Sequence, residues 1–232
     1  MAATSPGVRS GRISRTALLA VVGLAVVGCG AGQDPTVPAG PSLPPAPSVD
    51  GTGDAGSPPP AVAIRLSIER RTTDAATERF EQVVADTLAD PRGWSRAGFV
   101  LSVDPQAEFS VVLAEGPEVD ALCAPYDTYG RYSCQNGPVV ALNADRWRTA
   151  TPEWTGDLAT YRQMLVNHEV GHLLGRHHPS EPQCPEPGRP ALVMAQQSTE
   201  LDGCLPNPWP LDDEITAAAR HDEPLAPPYE GE

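Results

Sequence analysis

Residues 168–178 read HEVGHLLGRHH. On a helix, His168 and His172 lie four positions apart and share a face, so both imidazoles can reach one cation. Glu169 stands beside the first of them, where it can address a water on that cation. Gly175 can take the left-handed conformation that ends a helix at low cost. The chain would then turn back and bring in His178 as a third ligand. Shuffling this composition yields H-E-x-x-H-x-x-G-x-x-H on the order of 10⁻⁵ times, so incidental histidines on a buried helix are the weaker account. Three neutral imidazoles leave a fourth position open, the arrangement of a catalytic rather than a structural Zn²⁺. Zinc lowers the pKa of a water there towards roughly 7, and Glu169 is the candidate general base. His177 adjoins His178 and competes for the third place; the spacing selects His178. His221 stands alone near the C-terminus and reads as a surface residue.

The elements that must position these groups are partly legible. Residues 62–68 alternate apolar and polar in part, as a strand does. The pattern over 73–89 predicts a helix with Phe80, Val83, Val84, Thr87 and Leu88 at helical spacing, stopped by Pro91. Strands are expected at 99–103, 109–114, 131–133 and 139–142, the last after the Asn136-Gly137-Pro138 turn. The metal-binding helix should run over 157–174, with Tyr161, Met164, Leu165, Leu173 and Leu174 as core positions. A closing helix is expected at 211–220, its acids at the start matching the helix dipole. This order of elements suggests an α+β domain, with a mixed β-sheet packed on helices, a late active-site helix and a mostly irregular C-terminal part.

Charge and cysteine usage place the chain outside the cytoplasm. All 16 basic residues are arginine, and the net charge is −14. An acidic chain without basic clusters argues against nucleic acid and against electrostatic adhesion to anionic lipid. Arg9, Arg12 and Arg15 precede a short apolar run at 17–28, with the proportions of a secretory signal rather than a spanning helix. Residues 26–29 (VVGC) resemble a lipobox, which implies cleavage before Cys29 and lipid on its sulfur. Removing the three arginines with the leader would take the net charge to −17, which makes a covalent anchor the more needed. Residues 29–60 read as a Pro/Gly-rich tether with a reach of roughly 90–100 Å, and 61–232 as the folded domain. Cys123, Cys134, Cys184 and Cys204 form an even set, expected as two disulfides in an exported chain. Four cysteines allow three connectivities; Cys123–Cys134 and Cys184–Cys204 are favoured because each pair brackets one short loop.

The histidine string resembles that of the metzincin clan of zinc endopeptidases. That clan has a methionine-containing turn beneath the metal, and Met194 falls 16 residues after His178 where such a turn is expected. The resemblance implies a mixed sheet above the active-site helix, with an edge strand aligning the substrate backbone; residues 139–142 are the candidate. Ala195-Gln196 follow Met194, with no tyrosine nearby to steady an oxyanion, which leaves Arg176, Gln196, Gln197 or the metal itself. Segments such as Leu122-Cys123, Tyr132-Ser133-Cys134, Ala141-Leu142-Asn143 and Asp202-Gly203-Cys204 also resemble a family of actinobacterial secreted or membrane-anchored proteins. That family is known only as a domain of unknown function with a zincin-like motif.

These readings converge on a surface-tethered, monomeric zinc endopeptidase acting on protein or peptide substrates, touching the membrane only through its N-terminal lipid. Two other classes fit the same ligands: a non-catalytic zinc-binding lipoprotein, and a metal-dependent amidase on cell-wall peptides.

Overall fold

The computed structural model describes residues 61–226. The expected leader, Cys29 and the tether lie outside them. Five strands form one sheet: β1 (Val62–Arg70), β2 (Phe99–Val103), β3 (Phe109–Ala114), β4 (Cys134–Asn136) and β5 (Val139–Asn143). Their order is β2-β1-β3-β5-β4. The first four in that order are mutually parallel, and β4 alone runs antiparallel, to β5. Five helices accompany them: α1 (Phe80–Ala89), α2 (Gly116–Cys123), α3 (Ala144–Thr149), α4 (Leu158–Leu173) and α5 (Asp212–Ala218).

The strand sequences explain the layering. In β1, Ile64 and Leu66 are buried on one face while Ala63 and Arg65 face solvent. In β3, Val111 and Leu113 enter the main core with α1 and α4. The alternate residues Val112 and Ala114 are also buried, against Val119 and Cys123 of α2. A strand covered on both faces reads as a continuous apolar run, as FSVVLA does. The sheet is therefore covered on both sides around β3, β5 and β4.

Several expectations need correction. The sequence 73–89 breaks into a single 3₁₀ turn at Ala75–Thr77 and then α1. Asp74 caps that turn by accepting the Ala76 N–H, and the chain re-enters a helix only at Phe80. The strand expected at 131–133 lies instead at Cys134–Asn136. Residues 139–142 are not an edge: β5 is paired by β3 on one side and by β4 on the other, so its main-chain groups are occupied. The edge strand on that side of the sheet is β4. Helices α2 and α3 were not foreseen, although Pro117 in the first turn of α2 is a helix-start signal.

Two disulfides close loops, Cys123–Cys134 and Cys184–Cys204. They suggest an extracytoplasmic location. No helix among the described residues is long and apolar enough to cross a membrane.

The long segment between α4 and α5 has little regular structure, and buried amide side chains hold it. Gln197 donates to the carbonyls of Leu192 and Asn207, and its own oxygen accepts the Asn207 N–H. Asn207 donates to Ala191 and Trp209, and Asn167 of α4 donates to Pro208. These side chains supply the partners that a strand ladder would otherwise give to buried peptide groups.

Candidate metal centre

Helix α4 begins where Asp157 accepts the Thr160 N–H at 2.7 Å and ends in a glycine-terminated cap. Gly175 has φ +77°. Its N–H donates to His172 O, and the Arg176 N–H donates to Gly171 O. A side chain at 175 would be strained by that φ and would also meet Glu223 Cβ at 2.7 Å. The turn reverses the chain and carries His178 back over the helix.

The result is a triangle of nitrogens. His168 Nε2 lies 3.2 Å from His178 Nε2 and 3.3 Å from His172 Nε2, and His172 Nε2 lies 3.1 Å from His178 Nε2. The other ring nitrogens are engaged elsewhere. His168 Nδ1–H donates to the Val193 carbonyl at 2.8 Å, and His172 Nδ1–H to the Arg176 carbonyl at 2.7 Å. His178 Nδ1 meets the Gln196 amide at 3.3 Å. A carbonyl partner fixes the proton on Nδ1, so the Nε2 atoms of His168 and His172 carry lone pairs. Two lone pairs at that separation repel unless a cation lies between them. Tetrahedral ligands on zinc at about 2.0–2.1 Å would stand about 3.3–3.4 Å apart, close to the spacing here. The three histidines could therefore hold a metal ion. Burial depresses the pKa of both His168 and His172, the latter to about 3. They remain neutral, as ligands must.

The neighbouring chemistry fits the same use. These histidines line a cavity of about 300 Å³ together with Glu169, Arg146, Tyr132, Gln135 and Gln196. Glu169 is 6% exposed, and its carboxylate makes no hydrogen bond or ion pair among the described residues. Burial pushes it up to about 8, while the Arg146 charge pulls the other way. A buried acid without a structural partner, beside a set of metal-ligand nitrogens, is a strong functional candidate. Cys134 and Gln135 of the edge strand form one wall of the cavity.

Met194 is buried in a turn closed by the Ala195 N–H on Leu192 O. Its Sδ would be 2.3 Å from a Cβ placed on Gly171, and Trp94 Cζ2 would be at 2.9 Å. Glycine at 171 thus lets the turn pack directly beneath α4. Gly171→Ala should gain about 1 kcal/mol in helix propensity but lose about 1–3 kcal/mol or more to overpacking. The expected balance is a lower denaturant midpoint; a higher one would show that Met194 swings aside freely.

The other candidate groups lie outside the triangle. His177 is exposed and outside the triangle. His221 is half-buried, not a surface residue, and meets the Ala97 carbonyl at 2.8 Å. Arg176 offers its carbonyl to the site, but its guanidinium turns to Asp222 at 4.0 Å and does not line the cavity. The Gln197 amide is consumed by Leu192 and Asn207. Arg146 was not singled out by any motif, yet it is the arginine in the cavity.

The fold and this cluster define an α/β domain built around a candidate metal centre. The chain belongs to the family described as "Protein of unknown function (DUF3152)", whose model matches residues 61–219. That span holds every strand and helix described above. No curated protein matches the chain. Among solved structures it is similar to that of myroilysin, at 17% identity and a TM-score of 0.30, over 57% of this chain and 55% of that one. The similarity thus spans about half of myroilysin.

Proposed function

We propose that this chain is a zinc-dependent endopeptidase of metzincin type, working as a monomer outside the cytoplasm and held to the membrane by a lipid on Cys29. The observation that carries this reading is the convergence of three Nε2 atoms beside Glu169, a buried carboxylate with no hydrogen bond or ion pair among the described residues. His168, His172 and His178 would hold the ion. Bound zinc supplies Lewis acidity and lowers the pKa of water in the site. Glu169 takes the proton of the attacking water and returns it to the leaving amine, so no proton is lost overall. Strand β4, last in the sheet order and part of the cavity wall, is where an extended peptide would align. A protein that only stored or sensed zinc would have no use for a buried, unpartnered carboxylate, since burying such a charge is costly.

The test is metal content and peptide hydrolysis of the purified chain, before and after chelation and after zinc is restored. We expect one zinc per chain, hydrolysis that disappears on chelation, and its return with zinc. A chain that binds one zinc and cleaves nothing across a broad peptide library would overturn the peptidase reading.

A further inference from the structure

Two arginines, two positions apart on α3, have opposite surroundings. Arg148 is paired with Asp74, Glu115 and Asp145 at 2.5–2.9 Å. Arg146 has no carboxylate within ion-pair distance among the described residues. Its Nε donates to the Arg131 carbonyl, and its guanidinium lies over the Tyr132 ring, 4.7 Å from the centroid. Those two contacts hold the plane of the group, and the Tyr161 hydroxyl is its other polar neighbour; no carboxylate among the described residues takes the fork of its Nη nitrogens. The side chain is half-buried and lines the cavity that contains Glu169 and the histidine triangle.

A half-buried guanidinium loses part of its hydration, and an ion pair is the usual compensation. Here no carboxylate among the described residues lies within ion-pair distance; Glu169 shares the cavity and acts on Arg146 only through its charge. The fork of two parallel N–H donors matches a carboxylate in shape as well as in charge. The chain as a whole carries −14, so its surface repels carboxylates at large and Arg146 marks a local exception inside the site.

We propose that Arg146 binds a carboxylate of the substrate, so that the site selects peptides carrying one close to the bond cleaved, either as an acidic side chain or as the free C-terminus. This rests on the peptidase reading above. It assigns Arg146 a specificity role that neither the metal nor Glu169 can fill.

The experiment measures kcat/KM of the zinc-loaded full chain on matched peptides. One set exchanges Glu for Gln at successive positions on either side of the scissile bond; the other compares free with amidated C-termini. The expected result is a preference of about 10–100-fold for the carboxylate at one position. It should fall to near one in Arg146→Gln and to an intermediate value in Arg146→Lys, which keeps the charge but not the fork. The two peptide sets tell a side-chain carboxylate from a terminal one. A ratio near one in the unmodified chain overturns the proposal. So does an Arg146→Gln variant that slows all peptides equally and keeps the ratio, which would mark a role in the chemical step. Calorimetric binding of the same peptides to Glu169→Gln, with Arg146 intact or replaced, reads the preference without turnover. Binding preference without any cleavage by the unmodified chain would sink the peptidase reading and keep the anchor; neither preference nor cleavage would sink both. Thermal unfolding of each variant establishes that it is folded.

Discussion

Glu169→Gln is expected to keep zinc at the stoichiometry and affinity of the unmodified chain and to lose hydrolysis by about 10²–10⁴-fold or more. Gln is nearly isosteric and removes only the capacity to take a proton. Glu169 touches none of the three ligands through a hydrogen bond, so the histidine triangle should survive. The substitution should also leave stability unchanged or raised, because a buried carboxylate without a partner is replaced by a neutral amide. Burial raises Glu169 to about 8 with the Arg146 charge already acting against it; a neighbouring cation would favour its ionised form further. With zinc bound, the carboxylate would be ionised and able to accept a proton near neutral pH. Metal analysis, a Tm and a progress curve on one preparation check all three statements. Retained hydrolysis in a clean preparation would remove Glu169 from the mechanism, and a loss of zinc would make it a positioning group.

The second large effect is expected at Glu214, which does not line the cavity. Its carboxylate is mostly buried at the start of α5 and accepts three backbone N–H groups. Val193 and Leu211 donate to Oε2 and Met194 to Oε1, all at 2.9–3.0 Å. Burial raises its pKa, and the three donors act against that. The Met194 N–H and the Val193 carbonyl belong to one peptide group. That group therefore accepts from His168 Nδ1 at one end and donates to Glu214 at the other. A carboxylate thus reaches the first metal-ligand imidazole through a single polarised peptide. In Glu214→Gln one oxygen becomes an NH₂ that faces N–H donors. The expected loss is about 2–5 kcal/mol of stability, from bonds to a charged acceptor worth roughly 1.5–3 kcal/mol each, less the relief of unburying a charge. Zinc affinity should fall about 10–100-fold through the freed orientation of His168. Denaturant unfolding and zinc competition against a chelating dye measure the two separately. Lower stability with unchanged zinc affinity would confine Glu214 to holding the turn.

What could be read from the residues follows from how each group is fixed. The ligand triangle is a matter of spacing on one helix and one glycine turn, and spacing is visible in a sequence. His178 rather than His177 meets the others because the Gly175 turn sets the register. Strands β1, β2, β3 and β5 announce themselves through apolar residues of strand length. By contrast, β4 is CQN, with no alternation to find; it is a strand because Val139–Ala141 of β5 offers it an edge. Arg146 and Glu214 were illegible for a related reason. NADRWRT contains two arginines of equal standing, and only the folded chain pairs Arg148 with three acids and leaves Arg146 to the cavity. Asp212, Asp213 and Glu214 all suit a helix N-terminus, yet only Glu214 is buried against the methionine turn.

The two disulfides bracket the irregular stretches that border the cavity, with Tyr126, Asp127, Thr128, Tyr132 and Ser133 inside one loop and Gln196 to Thr199 inside the other. Outside the cytoplasm such loops are where other proteases first cut a folded domain. A single cut within either bracketed loop leaves both new ends joined through sulfur. The wall that carries Tyr132 or Gln196 then stays in place, and the nicked molecule separates into fragments only after reduction.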